Sequence, residues 1–135
     1  MNIVTAQNDR AESRLALNWI LDNGPLLAGR VGELKVHVVL VGDADSPAIP
    51  NYSSPALGEA IARELGERSI AYTVYPAGND APLQVIEVAE TVSADLVVVG
   101  MRRRSATMKL LLGSQIQRVM LDAPCPVLTI KSGLD

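Results

Sequence analysis

The stretch Leu34-Lys35-Val36-His37-Val38-Val39-Leu40-Val41 is aliphatic at six of its eight positions. An alternating pattern would mark a strand with one wet face. A nearly unbroken run of branched residues marks a strand covered on both faces, which in practice means a parallel sheet layered by helices. Reading outward supports this. Upstream, Asn2 to Gln7 carries Ile3, Val4 and Ala6 and reads as a strand. Asp9 to Asn23 lacks Gly and Pro and sets Leu15, Ala16, Trp19 and Ile20 at helical spacing. Asn8 or Asp9 is the expected N-cap, and Gly24-Pro25 is expected to stop or bend the helix.

Downstream, Gly42 to Ser53 is rich in Gly, Asp, Pro and Ser and reads as the longest loop. Ser54-Pro55 supplies a cap followed by proline at the first helical position. Leu57, Ala60, Ile61 and Leu65 form a stripe behind it. Ile70 to Tyr75 is the third strand, and Asn79-Asp80 with Pro82 opens a helix bearing Val85, Val88, Ala89 and Val92. Leu96 to Val99 is the fourth strand, ending at Gly100. After a basic stretch from Met101 to Lys109, Leu112, Ile116, Val119 and Met120 mark a fourth helix. Asp122 to Pro126 breaks the chain before a fifth strand, Val127 to Lys131. Strands alternating with helices imply right-handed crossovers and an α/β fold: one doubly wound, five-stranded parallel sheet with helices on both faces. Residues 1–135 are expected to form one domain.

Composition narrows the chemistry. The chain has one histidine, His37, one cysteine, Cys125, and no phenylalanine. A His-Cys metal cluster, a CxxC pair and an intrachain disulfide are excluded by counting. Twelve basic against fifteen acidic residues leave a net charge of −3. That charge and the four aromatic residues disfavour a nucleic-acid surface. No apolar run approaches the ~20 residues that span a bilayer, and no signal pattern opens the chain, so a soluble cytoplasmic protein without membrane contact is expected.

In an open parallel sheet the ligand crevice lies at the carboxyl ends of the strands, at the topological switch point. Those ends carry Gln7-Asn8-Asp9, Gly42-Asp43, Pro76-Ala77-Gly78 and Gly100-Met101-Arg102. The last is the most suggestive. Arg102, Arg103, Arg104 and Lys109 set four positive charges within eight residues, and Gly113-Ser114 follows near the start of the fourth helix. A glycine, a basic loop and a helix start together can cradle a phosphate. The same residues also suit a solvated basic loop whose glycine merely turns. His37, in mid-strand, reads as a structural histidine. Cys125 reads as a packed or interface thiol, and Trp19 as an anchor of the first helix.

Gly100 to Ser114 resembles the Gly-x-x-Gly, nine-residue, Gly-Ser/Thr signature of the universal stress protein family. Val36 to Val39, Ala94 to Gly100 and Ala123 to Leu128 are similar to that family's second, fourth and closing strands. The resemblance implies a nucleotide- or anion-binding sensor or adaptor in stress response, without settled catalysis, with ATP as the cofactor of some members. It also implies a homodimer paired along the last strand, Pro126 to Lys131. Carried over position by position, it implies a site at Asn8, Val38, Val99, Gly100, Arg102, Arg103, Gly113 and Ser114. Val38 matches a residue on the adenine side. Three positions depart from the pattern. Asn8 stands for an aspartate, Arg103 for the second glycine, and Ile116 for a hydroxyl residue. Asn8 loses charge-assisted strength, Arg103 crowds the loop or supplies a guanidinium, and Ile116 loses one neutral hydrogen bond. Together they imply affinity lowered by about one to two orders of magnitude, since ~1.4 kcal/mol is tenfold. The alternatives are a structural or interaction dimer of the same fold that binds no nucleotide, and a slow ATP hydrolase.

Overall fold

The computed structural model describes residues 1–42, 55–101 and 114–131. The elements run β1 (Asn2–Gln7), α1 (Ala11–Ala28), β2 (Lys35–Leu40), α2 (Pro55–Glu67), β3 (Ala71–Tyr75), α3 (Ala81–Thr91), β4 (Leu96–Met101), α4 (Ser114–Asp122) and β5 (Val127–Lys131). A short 3-10 turn, Val31–Glu33, precedes β2. The strands form one parallel sheet in the order β3-β2-β1-β4-β5. The chain builds outward from β1 to β3, then crosses to the other side of β1. The switch point therefore falls between β1 and β4.

Side-chain alternation divides the sheet into two faces. On one face Ile3, Val36, Val38, Leu40 and Val98 meet Ala16, Leu17 and Ile20 of α1 and Ile61 and Leu65 of α2. On the other, Val4, Val39, Val97 and Val99 meet Val85, Val88 and Ala89 of α3 and Val119 of α4. Residues 36 to 40 of β2 are all buried, as expected of a strand covered on both sides. Trp19 packs against the first of these clusters, partly buried.

The helices differ from the sequence reading in instructive ways. The N-cap of α1 is Arg10, not Asn8 or Asp9, and its side chain makes no capping bond. Asn8 sits two residues earlier, where its Oδ1 accepts from the Arg10 N–H at 3.0 Å. The helix also runs through Pro25 to Ala28. Proline there forfeits one backbone bond, but the turn stays docked because Gly24 is buried against Leu34. A Cβ at Gly24 would lie 2.9 Å from Leu34 Cδ2. Gly29, at φ +86°, ends the helix by returning its N–H to Leu26.

On α2 the buried stripe is Gly58, Ile61 and Leu65, and Ala60 is exposed. Gly58 lets the helix settle onto the sheet, since a Cβ would approach Leu40 Cδ1 to 3.1 Å. On α4, Val119 is buried and Met120 faces outward. Pro55 opens α2 as expected, whereas Ser54 lies outside the described residues. Asp80 caps α3 by accepting from the Leu83 N–H at 3.1 Å. Helices α2 and α3 are each followed, two residues past their ends, by a serine with positive φ, Ser69 at 59° and Ser93 at 52°. In each turn the next N–H reaches back into the helix, Ile70 to Leu65 and Ala94 to Ala89.

Candidate functional site

Strands β1 and β4 pair at Ile3↔Leu96, Val4↔Val97 and Thr5↔Val98, and the register ends there. Both strands continue, β1 to Gln7 and β4 to Met101. Their last residues therefore part from each other at the carboxyl edge, at the switch point. The first turn of α1 lies over this parting. Gly100 belongs to the α1 side of β4, and a Cβ on it would collide with the carbonyl oxygen of Glu12 and lie 2.5 Å from its carbon. The backbone that Gly100 admits closely is thus that of α1.

Two polar side chains hold the α1 turn in place. Gln7, 2% exposed, donates from Nε2 to Thr5 Oγ1 at 3.1 Å and to the Ser13 carbonyl at 2.7 Å. Ser13, also buried, donates from Oγ to the carbonyls of Asn8 and Arg10, and accepts from the Asn8 N–H. The loop between β1 and α1 is therefore closed by its own hydrogen bonds. The sequence reading assigned no role to Gln7 or Ser13. The signal was there in Gln7, a long polar side chain ending an otherwise apolar strand.

The residues singled out from sequence fall into three groups. Asn8, bonded to Ser13, and Gly100, lying against Glu12 and Ser13, each border the first turn of α1, with Val99 buried just before Gly100 on the α3 side. Val38 lies elsewhere: it is fully buried in the core with α1 and α2, and its side chain has no surface to offer a ligand. Arg102, Arg103 and Gly113 lie outside the described residues, as do Ser105, Thr107 and the other residues of the basic loop. Ser114 opens α4. Ile116, in the first turn of that helix, packs partly buried against the α3-side core.

The middle of α4 is tied to the cap of α3, where Arg118 Nη1 donates to both carboxylate oxygens of Asp80. The Leu83 N–H, and then Arg118, hold the Asp80 carboxyl below its ordinary value. The end of β3 is closed by Gln84, which accepts from the Gly78 N–H and donates to the Pro76 carbonyl.

His37 is structural, as its mid-strand position implied. Asn2 donates from Nδ2 to the Val92 carbonyl, so its Oδ1 faces His37 Nε2 at 3.0 Å. That geometry places the proton on Nε2 and leaves Nδ1 to accept from the Tyr75 hydroxyl at 3.0 Å. Burial, and secondarily the Lys35 charge, hold the ring's pKa below its ordinary value, so neutral imidazole is favoured. Cys125 is partly buried against the α3-side core. Burial and then Asp95 push its thiol up, away from the thiolate a nucleophile needs. Among the described residues no group of three His, Cys, Asp or Glu side chains could hold a metal ion, and no helix is long and apolar enough to cross a membrane.

The architecture and the parting at its switch point define a doubly wound α/β protein whose central strands separate at the carboxyl edge. The universal stress protein family profile matches residues 1–131. A universal stress protein of Thermus aquaticus is 35% identical over 106 residues, covering 69% of this chain and 77% of that protein. Another, from Mycolicibacterium smegmatis, is 43% identical over 56 residues, covering 42% of this chain and 43% of the relative, so the match spans less than half of that relative's length. The chain belongs to the universal stress protein family.

Solved structures share the fold. A universal stress protein family protein of Arabidopsis thaliana with AMP bound superposes with a TM-score of 0.72 at 20% identity, covering 100% of this chain and 94% of that one. An Archaeoglobus fulgidus universal stress protein in complex with dAMP gives 0.61 at 18% identity, covering 97% and 98%. A universal stress protein in complex with cAMP gives 0.59 at 20% identity, covering 98% of each chain.

Proposed function

We propose that this chain binds an adenine nucleotide at the parting of β1 and β4 and acts, without turning it over, as a sensor or adaptor in stress response in the cytoplasm. The observation that carries the reading is that parting, in a member of a family whose similar structures include proteins with AMP, dAMP and cAMP bound. Gln7 and Asn8 at the β1 end suit the nucleoside half: both are polar, uncharged and held by hydrogen bonds to the chain around them. Asn8 enters the site as a neutral group whose Oδ1 is already engaged by Arg10. The phosphate half belongs in this proposal to Arg102, Arg103, Gly113 and Ser114. ATP and AMP are the ligands to test.

Titration calorimetry with ATP and Mg²⁺, and with AMP, tests the proposal. Heat of binding is expected, with a melting point that rises with ligand. At a hundredfold excess over Kd the stabilisation is about 2.7 kcal/mol. No heat and no melting shift at millimolar nucleotide would sink it.

We also propose a homodimer paired through β5, from Pro126 to Lys131. β5 is an edge strand, and residues 127 to 130 are only partly buried. Beside it in sequence, α4 exposes Met120 and Leu121, the latter at 77%. An open strand edge with apolar neighbours is a ready surface for a second copy.

A further inference from the structure

We propose that Gln7 is the specificity-determining residue of the switch-point site, its Oε1 accepting one hydrogen bond from a donor on the nucleoside half of the nucleotide. This rests on the reading that an adenine nucleotide binds there. The argument begins with cost. A buried glutamine amide is unfavourable unless its polar atoms are paired. Both hydrogens of Nε2 are used, on Thr5 Oγ1 and the Ser13 carbonyl. A carbonyl can only accept, so the nitrogen must face Ser13, and the orientation of the amide is set.

Oε1 has no donor among the described residues, in a side chain that is 2% exposed. Every fully enclosed side-chain nitrogen or oxygen there has a partner, so Oε1 must keep a small surface open to solvent. Gln7 ends β1, beyond the last β1–β4 pair at Thr5↔Val98, and the α1 turn at Ser13 closes the helix side. The opening therefore lies at the carboxyl edge. The result is a rigid, uncharged acceptor at the parting of the strands. It welcomes an N–H or O–H and opposes a phosphate or carbonyl oxygen. On an adenine nucleotide the matching donors are the exocyclic amine and the ribose hydroxyls.

The test is a cycle of ligand and protein deletions, read by titration. The ligands are AMP, its analogue lacking the 6-amino group, 2′-deoxyAMP and 3′-deoxyAMP. The proteins are the full wild-type chain and Gln7→Met. One analogue is expected to bind the wild type about tenfold more weakly than AMP, and that difference is expected to vanish in Gln7→Met. A merely structural glutamine would weaken all four ligands together. The wild-type chain alone gives a second readout, the ¹³Cδ resonance of Gln7. It should move on saturation with AMP and stay in place with the analogue that lacks the donor. Equal analogue losses in both proteins, or a ¹³Cδ resonance indifferent to AMP, would overturn the role of Gln7. Failure of AMP itself to bind the wild type overturns the nucleotide reading instead.

Discussion

Replacing Gly100 by alanine sets two physical effects against each other. By backbone entropy alone, alanine in a strand should be favoured over glycine by roughly 0.5–1 kcal/mol. Packing says the opposite. The new methyl would collide with the Glu12 carbonyl oxygen and sit 2.5 Å from its carbon and 3.2 Å from the Ser13 nitrogen. Ordinary contact begins near 3.4 Å, so the first turn of α1 must withdraw by well over ~1 Å to clear the carbonyl oxygen, as at other overpacked sites. The obstacle is backbone, which cannot swing aside as a side chain can. Withdrawal also strains the 2.7 Å bond from Gln7 Nε2 to the Ser13 carbonyl. Overpacking costs about 1–3 kcal/mol, and a buried polar pair left broken adds about 1–3 more.

Taking ~3 kcal/mol overall, and about 3–4 °C per kcal/mol for a chain of this size, the melting point should fall by about 10 °C. Calorimetry or circular dichroism reads this directly. Gly66→Ala is the control. A Cβ at Gly66, in α2, meets nothing within 4 Å, so that change should stabilise by about 0.5–1 kcal/mol. A Gly100→Ala protein melting at or above the wild type would refute the packing argument and return Gly100 to the ligand-facing role suggested by sequence.

Ser93→Gly should raise the melting point by a few degrees. Its φ of 52° is strained for an L-residue by about 1 kcal/mol and free for glycine. His37 is the only histidine in the chain, and its folded pKa lies below the ordinary value of 6.5. Below pH 6.5 the unfolded chain takes up the proton first, so stability is full above that pH and declines as pH falls from it. The slope can reach ~1.4 kcal/mol per pH unit. His37→Gln should flatten denaturant-derived stability between pH 6.5 and 5. Val97 of β4 donates to the carbonyl of Pro126, just before β5, so in a parallel ladder the N–H of Thr129 points to the free edge. Thr129→Pro should leave the fold intact and convert a strand-paired dimer to a monomer in sedimentation velocity. A dimer that survives it contradicts pairing through β5.

Much of this molecule can be read from Leu34 to Val41 and the runs around it. Unbroken aliphatic strands alternating with helical stripes admit few arrangements, because only parallel pairing with crossover helices buries both faces of such strands. The order of elements, the cap at Asp80 and the start of α2 at Pro55 are all local or periodic properties. They depend on neighbours a few residues away. Hence they survive translation into a linear pattern.

What lay beyond the sequence depends on contacts between distant segments. Gly100 looks like a ligand-facing glycine until α1, some ninety residues earlier, is laid against it. Pro25 reads as a stop until Gly24 is seen seated on Leu34. Val38 matches a site position in the family pattern, yet the pleat turns its side chain into the core beneath α1 and α2. Gln7 is one polar letter at the end of a strand. Only the turn of α1 shows that its nitrogen is fully used and its oxygen left over. Sequence alone determined the family and the layered sheet, because periodic burial is written along the chain. Tertiary structure alone decided which polar atoms at the switch point remain free, because that count closes only when β1, β4 and α1 meet.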